Sequence, residues 1–131
     1  SQLGAGTVKN PGVIIVCGGR DYRDRAAVFA ALDRAHAKRP LVAVVHGAAT
    51  GADALADEWA KARGVTRIPC PADWKTHGRA GGPKRNQFML DCLQPFGVVA
   101  FPGGAGTQDM VCRARAAGVP VWEPCAIITP V

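Results

Sequence analysis

The stretch GVIIVCGGRDYRDRAAVFAALDRAHAKRPLVAVVHGAATGAD (residues 12–53) decides the fold class. It opens on an apolar run at 13–17 that breaks at Gly18-Gly19, and continues into an amphipathic segment at 24–38. There Val28, Ala31, Leu32 and Ala35 fall on one side of a helix, with Arg25, Asp33, Arg34 and Lys38 elsewhere. A second apolar run at 41–46 follows and ends in another glycine turn, Gly47 to Gly51. An almost continuously hydrophobic strand is one buried on both faces, and strand, helix, strand in that order is the unit of a parallel sheet.

The same alternation continues to the end of the chain. Runs at 65–70, 97–101 and 119–122 read as strands, and 51–63, 84–94 and 107–117 as helices, with Gly64 and Gly118 as stops. The predicted fold is α/β: a single doubly wound domain of about five parallel strands with helices on both faces. Residues 1–11 read as a disordered end, the first six as an expression remnant or frayed segment, 12–123 as the domain, and 124–131 as a tail. One connection breaks the rhythm: PADWKTHGRAGGP (71–83) is long for an α/β unit, and connections of that length are commonly functional or mobile.

With 131 residues, 48% of them apolar and 20% charged, the chain has the profile of one globular domain. No apolar run is long enough to cross a membrane, and the first residues have no basic-then-apolar leader pattern. Five cysteines (17, 70, 92, 112, 125) make no metal-binding spacing and cannot all pair with one another, which favours a reducing, cytoplasmic setting. Sixteen basic against ten acidic residues give a net charge of +6, suited to an anionic partner. The positive residues are scattered rather than set in an aromatic-interleaved stripe, so nucleic acid is a lesser expectation.

Three glycine turns carry the functional reading. Gly18-Gly19-Arg20-Asp21 follows the first strand, Gly47 to Asp53 the second, and Pro102-Gly103-Gly104-Ala105-Gly106-Thr107 the fourth. In a parallel sheet these lie along one edge, each before a helix whose free N–H groups and dipole attract phosphate. Neither GxxxxGK[ST] nor a properly placed GxGxxG is present, which argues against a common P-loop ATPase or nicotinamide dehydrogenase. Candidate ligand contacts are Gly18, Gly19, Arg20, Asp21, Gly47, Thr50, Gly51, Asp53, Trp74, Arg85, Asn86, Pro102, Gly103, Gly104, Gly106 and Thr107.

Several of these have a plainer structural reading beside the functional one. Thr50 and Asp53 have the spacing of a capping box, Thr107 is a natural N-cap, and Asp21 can close an Asx turn. Asp109 can pair with Arg113 one helical turn on, and Met110 fits a core stripe with Ala114 and Ala117. Trp74 can stack on a base or anchor its loop, with Lys75, His77 and Arg79 adding charge. Trp59 and Trp122 read as packing residues. Cys17 and His46 end neighbouring strands, but a nucleophilic pair needs a third, orienting group, and none is visible.

The segments GGRDY (18–22), HGAATGADALADEWA (46–60), PADWKTHGRAGGPKRNQFML (71–90) and FPGGAGTQDM (101–110) resemble the SLOG superfamily, most closely its YspA-like branch. The resemblance spans about residues 12–122 and implies a Rossmann-like fold binding a nucleotide-derived ligand at the glycine turns. Related LOG enzymes are phosphoribohydrolases, which release a free base and ribose 5-phosphate from a nucleoside 5′-monophosphate. Their signature, PGGxGTxxE, is matched here from Pro102 to Thr107, and Arg85 stands near the family's arginine, about two residues upstream. The closing glutamate is replaced by Met110, which cannot stabilise an oxocarbenium ion or activate water. Asp109 is adjacent but turned by ~100° around an ideal helix.

The resemblance therefore implies a ligand-binding or sensing domain first. A LOG-like hydrolase is the alternative, with Arg85 as clamp and Asp109 or Asp53 as the acid. A single-stranded nucleic-acid binder, as in the related DprA proteins, comes third. No cofactor is required, and Mg²⁺ enters only with a diphosphate ligand. A homodimer is implied, to which the apolar tail 126–131 (AIITPV) could contribute.

Overall fold

The computed structural model describes residues 9–126. The expected disordered N-terminus through residue 8 and the apolar tail beyond residue 126 lie outside the described residues. The elements run β1 (Asn10–Cys17), α1 (Arg25–Lys38), β2 (Ala43–His46), α2 (Ala52–Arg63), β3 (Thr66–Pro69), α3 (Trp74–His77), α4 (Gly81–Leu93), β4 (Pro95–Ala100), α5 (Ala105–Ala116) and β5 (Val121–Trp122). A single 3₁₀ turn, Gly78–Ala80, joins α3 to α4.

All five strands are parallel, in the order β3-β2-β1-β4-β5. The chain winds outward from β1 through β2 to β3, then crosses back to place β4 on the other side of β1. The loops after β1 and β4 therefore diverge, leaving a crevice at the carboxyl edge where open α/β sheets bind ligands.

Alternation along β1 shows how the sheet is filled. Ile14 and Val16 join Val28, Leu32, Ala56 and Trp59 in one core layer, beneath α1 and α2. Ile15 and Cys17 join Met89, Leu90, Met110 and Ala114 in the other, beneath α4 and α5. Two covered faces explain the unbroken hydrophobicity of the central strands.

Four sequence expectations change. Asn10 and Pro11, assigned to the disordered end, belong to β1, where Gly12 at φ 83° sits in an irregularity of the pairing with β4. α4 begins at Gly81 rather than 84, because the Trp74 ring lies where side chains at those glycines would go; a Cβ at Gly82 would be 2.9 Å from the ring. The connection 71–83 is accordingly a short helix, a 3₁₀ turn and the start of α4, not an open loop. α5 begins at Ala105, capped by Gly104 without a side-chain bond, so Thr107 lies inside the first turn and is not the N-cap.

Candidate functional site

A cleft of about 560 Å³ opens at the β1/β4 crevice. This is within the usual volume range of small-molecule sites. Val16, Cys17, Gly18 and Gly19 from the end of β1 form its floor together with Met89 of α4. Gly104, Ala105, Gly106, Thr107 and Asp109 of α5 form one wall. Gly47 and Ala49 of the β2–α2 turn and Asp53 of the first turn of α2 stand opposite, and Arg20, Trp74, Arg79, Gly82, Pro83, Arg85 and Asn86 complete the rim.

Twelve of the expected site residues thus converge: Gly18, Gly19, Arg20, Gly47, Asp53, Trp74, Arg85, Asn86, Gly104, Gly106, Thr107 and Asp109. Asp21 is exposed, lies outside this wall, and has no side-chain hydrogen bond among the described residues. Thr50 borders a smaller adjoining hollow of about 260 Å³, and Pro102 and Gly103 border a separate one of about 270 Å³. Gly51 lines none of these spaces; at φ 75° it packs directly on the backbone of Gly19 and Arg20.

The two helix N-termini at the cleft differ. At α5, the backbone N–H groups of Gly104, Ala105, Gly106 and Thr107 have no protein partner among the described residues. Side chains built at Gly104 and Gly106 would meet only open space. Free first-turn donors at the positive end of a helix dipole suit an anion.

At α2 the turn is closed on itself. Asp53 Oδ2 accepts from the amides of Gly47 (3.0 Å) and Ala49 (3.2 Å), and Ala48 N–H donates to His46 Nδ1 at 3.0 Å. Thr50 Oγ1 donates to the Arg20 carbonyl at 3.0 Å, so Thr50 and Asp53 do not form the capping box their spacing suggests. What this turn brings to the cleft is the Asp53 carboxylate, only 6% exposed. Burial raises its pKa, opposed by the Ala49 amide, His46, Arg85 and the Gly47 amide.

Arg85 is a brace as much as a clamp. Its Nη1 donates to the carbonyls of Gly47 (2.7 Å) and Cys70 (3.0 Å), and its Nε to Asn86 Oδ1 (2.9 Å). Nη2 has no protein partner among the described residues. Burial lowers the guanidinium's pKa, with Asp53 pulling the other way. Arg20 is more exposed and stacks 5.5 Å from the Trp74 ring centroid. Trp74 remains 46% exposed at the rim.

Position 110 faces the sheet: Met110 is fully buried in the core and does not reach the cleft. Asp109 does reach it. Its Oδ2 accepts from Asn86 Nδ2 (3.0 Å) and from Arg113 Nε (2.8 Å), the i+4 pair the sequence suggests. Asn86, buried, also donates to the Gly106 carbonyl at 3.3 Å, tying α4 to the first turn of α5. Asp109 Oδ1 has no protein partner among the described residues.

Cys17 and His46 do not form a nucleophilic pair. Burial pushes the Cys17 thiol up to about 12, with Asp53 and Glu123 adding to the effect, and both ring nitrogens of His46 are engaged elsewhere. The orienting group is nevertheless present: Asp57 Oδ1 is 2.8 Å from His46 Nε2. Sequence reading overlooked Asp57, although it lies four residues after Asp53 and so on the same side of α2. All five cysteines are free. Among the described residues no group of side chains could hold a metal ion, and no helix is long and apolar enough to cross a membrane.

The model of the YspA, cpYpsA-related SLOG family matches residues 12–77, from β1 through α3. A protein of Mycobacterium phage D29, named Gene 61 protein, is 37% identical over 116 residues, covering 82% of this chain and 92% of its own length. With its parallel five-stranded sheet and its glycine turns at one edge, the chain belongs to the YspA, cpYpsA-related SLOG family.

Proposed function

We propose that the cleft binds a phosphorylated nucleoside or a related nucleotide-derived ligand such as ADP-ribose, and that binding rather than turnover is its primary role. The observation that carries this reading is the row of unpartnered N–H groups at residues 104–107, which line the same cleft as Arg20 and Arg85, whose Nη2 has no protein partner among the described residues. A phosphate on those donors gains charge-assisted hydrogen bonds and the α5 dipole. The sugar then lies between the Asp53 and Asp109 carboxylates, whose free oxygens accept from hydroxyls. The base extends toward Trp74, where an aromatic face contributes about 1–3 kcal/mol by stacking.

A second reading, an N-glycosidic hydrolase, is favoured by one feature: Asp109 presents an unpartnered carboxylate oxygen to the cleft although Met110 does not. In that reading Asp109 stabilises positive charge developing on the sugar. Chromatography of the protein after hours with AMP, other nucleoside monophosphates, ADP-ribose and NAD separates the two readings. Intact nucleotides together with measurable binding are the expected result. Base release that disappears in Asp109→Asn establishes the hydrolase instead. Arg20→Ala is a cleaner probe of the anion contact than Arg85→Ala, because removing Arg85 also strips two backbone carbonyls of their donor.

A further inference from the structure

Ala48 is a non-glycine residue at φ 59°, in the left-handed region that alanine rarely adopts. It sits in the turn that walls the cleft and lines the adjoining hollow together with Thr50, whose amide has no partner among the described residues. Such a conformation persists only where the surroundings hold it. Here the Ala48 N–H donates to Nδ1 of His46, a residue 4% exposed. A ring nitrogen that accepts carries no proton, so the neutral ring is protonated on Nε2, which donates to Asp57 Oδ1 at 2.8 Å. Asp57 is in turn held through Oδ2 by Arg67 Nη1 of β3 at 3.2 Å.

We propose that His46, set in its Nε2–H tautomer by Asp57, is a positioning residue that pins Ala48 in the left-handed conformation and thereby fixes the β2–α2 wall of the ligand cleft. Asp53 takes the amides on either side, so three consecutive N–H groups are locked, and Gly47 and Ala49, which line the cleft, are held in one geometry. The role differs from catalysis: His46 does not line the cleft and acts through the backbone. Its consequence for affinity rests on the nucleotide reading of the cleft; its consequence for the turn does not.

Two substitutions separate the ring's nitrogens. In His46→Asn the side-chain oxygen occupies roughly the place of Nδ1 and still accepts from Ala48. In His46→Gln the longer amide reaches Asp57 and leaves Ala48 unpaired. Amide hydrogen exchange at Ala48, thermal melting, and titration with AMP and ADP-ribose are measured for both variants and the wild type. The expected result is protection of the Ala48 amide within about threefold of wild type in His46→Asn and loss of tenfold or more in His46→Gln. Nucleotide affinity should follow the same order, even where the two variants melt alike. Equal protection in the two variants, or a wild-type ring that nitrogen NMR shows protonated on Nδ1, overturns the proposal. If the wild type binds neither nucleotide, the nucleotide reading fails, and exchange at Ala48 still decides the role of His46.

Discussion

Gly47 has no room for a side chain, since a Cβ there would lie 2.6 Å from Arg85 Cζ and 2.9 Å from Asp53 Oδ2. Gly104 and Gly106 have nothing within 4 Å of the same position. Glycine therefore has two uses at one sheet edge: some positions let the turns and Arg85 pack together, others leave backbone open to a ligand. Gly47→Ala should cost about 1–3 kcal/mol in urea unfolding by displacing Arg85. Gly104→Ala should stay within about 0.5 kcal/mol of wild type. Gly106→Ala should gain up to about 1 kcal/mol, alanine being the better helix former. Both α5 substitutions should nonetheless weaken AMP binding, because their Cβ atoms intrude where phosphate is expected. Sequence alone could not sort these glycines, because the distinction depends on which side chain from another element arrives at each one.

At the scale of elements, α1 and α2 are joined by Asp33, which accepts from the Trp59 indole (2.8 Å) and from Arg63 through both oxygens (2.9 Å each). The Arg63 bonds first, and then the Trp59 bond, lower the Asp33 pKa to about 2. A carboxylate depressed on folding contributes stability above its unfolded pKa, and loses it as pH falls through the folded value. The α1–α2 contact should therefore weaken between about pH 4 and pH 2. The difference in urea midpoint between wild type and Asp33→Asn should shrink across that window, and should also shrink with added salt, because Asp33 is half exposed. A difference independent of pH contradicts the assignment. The amphipathic stripe of α1 and the Gly64 stop of α2 were legible because each is a local signal. The start of α4 was not, because Gly81-Gly82-Pro83 reads as a turn until the Trp74 ring is seen to occupy the space side chains there would need.

Over the whole molecule, alternation of strands and helices revealed a doubly wound sheet, but not the strand order. Periodicity is read along one chain, whereas the neighbour of β1 is set by which face each helix covers. The order β3-β2-β1-β4-β5 puts the crevice between β1 and β4 and brings together twelve predicted site residues from widely separated motifs. It also reassigns one role and keeps another. The β2–α2 turn engages its first three amides with His46 and Asp53 rather than leaving them open, while Asp109 lines the cleft and Met110 packs in the core stripe its spacing predicts. In the proposed complex, phosphate sits on the first turn of α5. An amide NMR titration of the full chain with AMP and ADP-ribose tests this directly. The largest shifts are expected at Gly104, Ala105, Gly106 and Thr107, with smaller ones at Arg20 and Trp74, all reduced in Arg20→Ala. Unchanged α5 amides at millimolar nucleotide, or shifts confined to another surface, would contradict it.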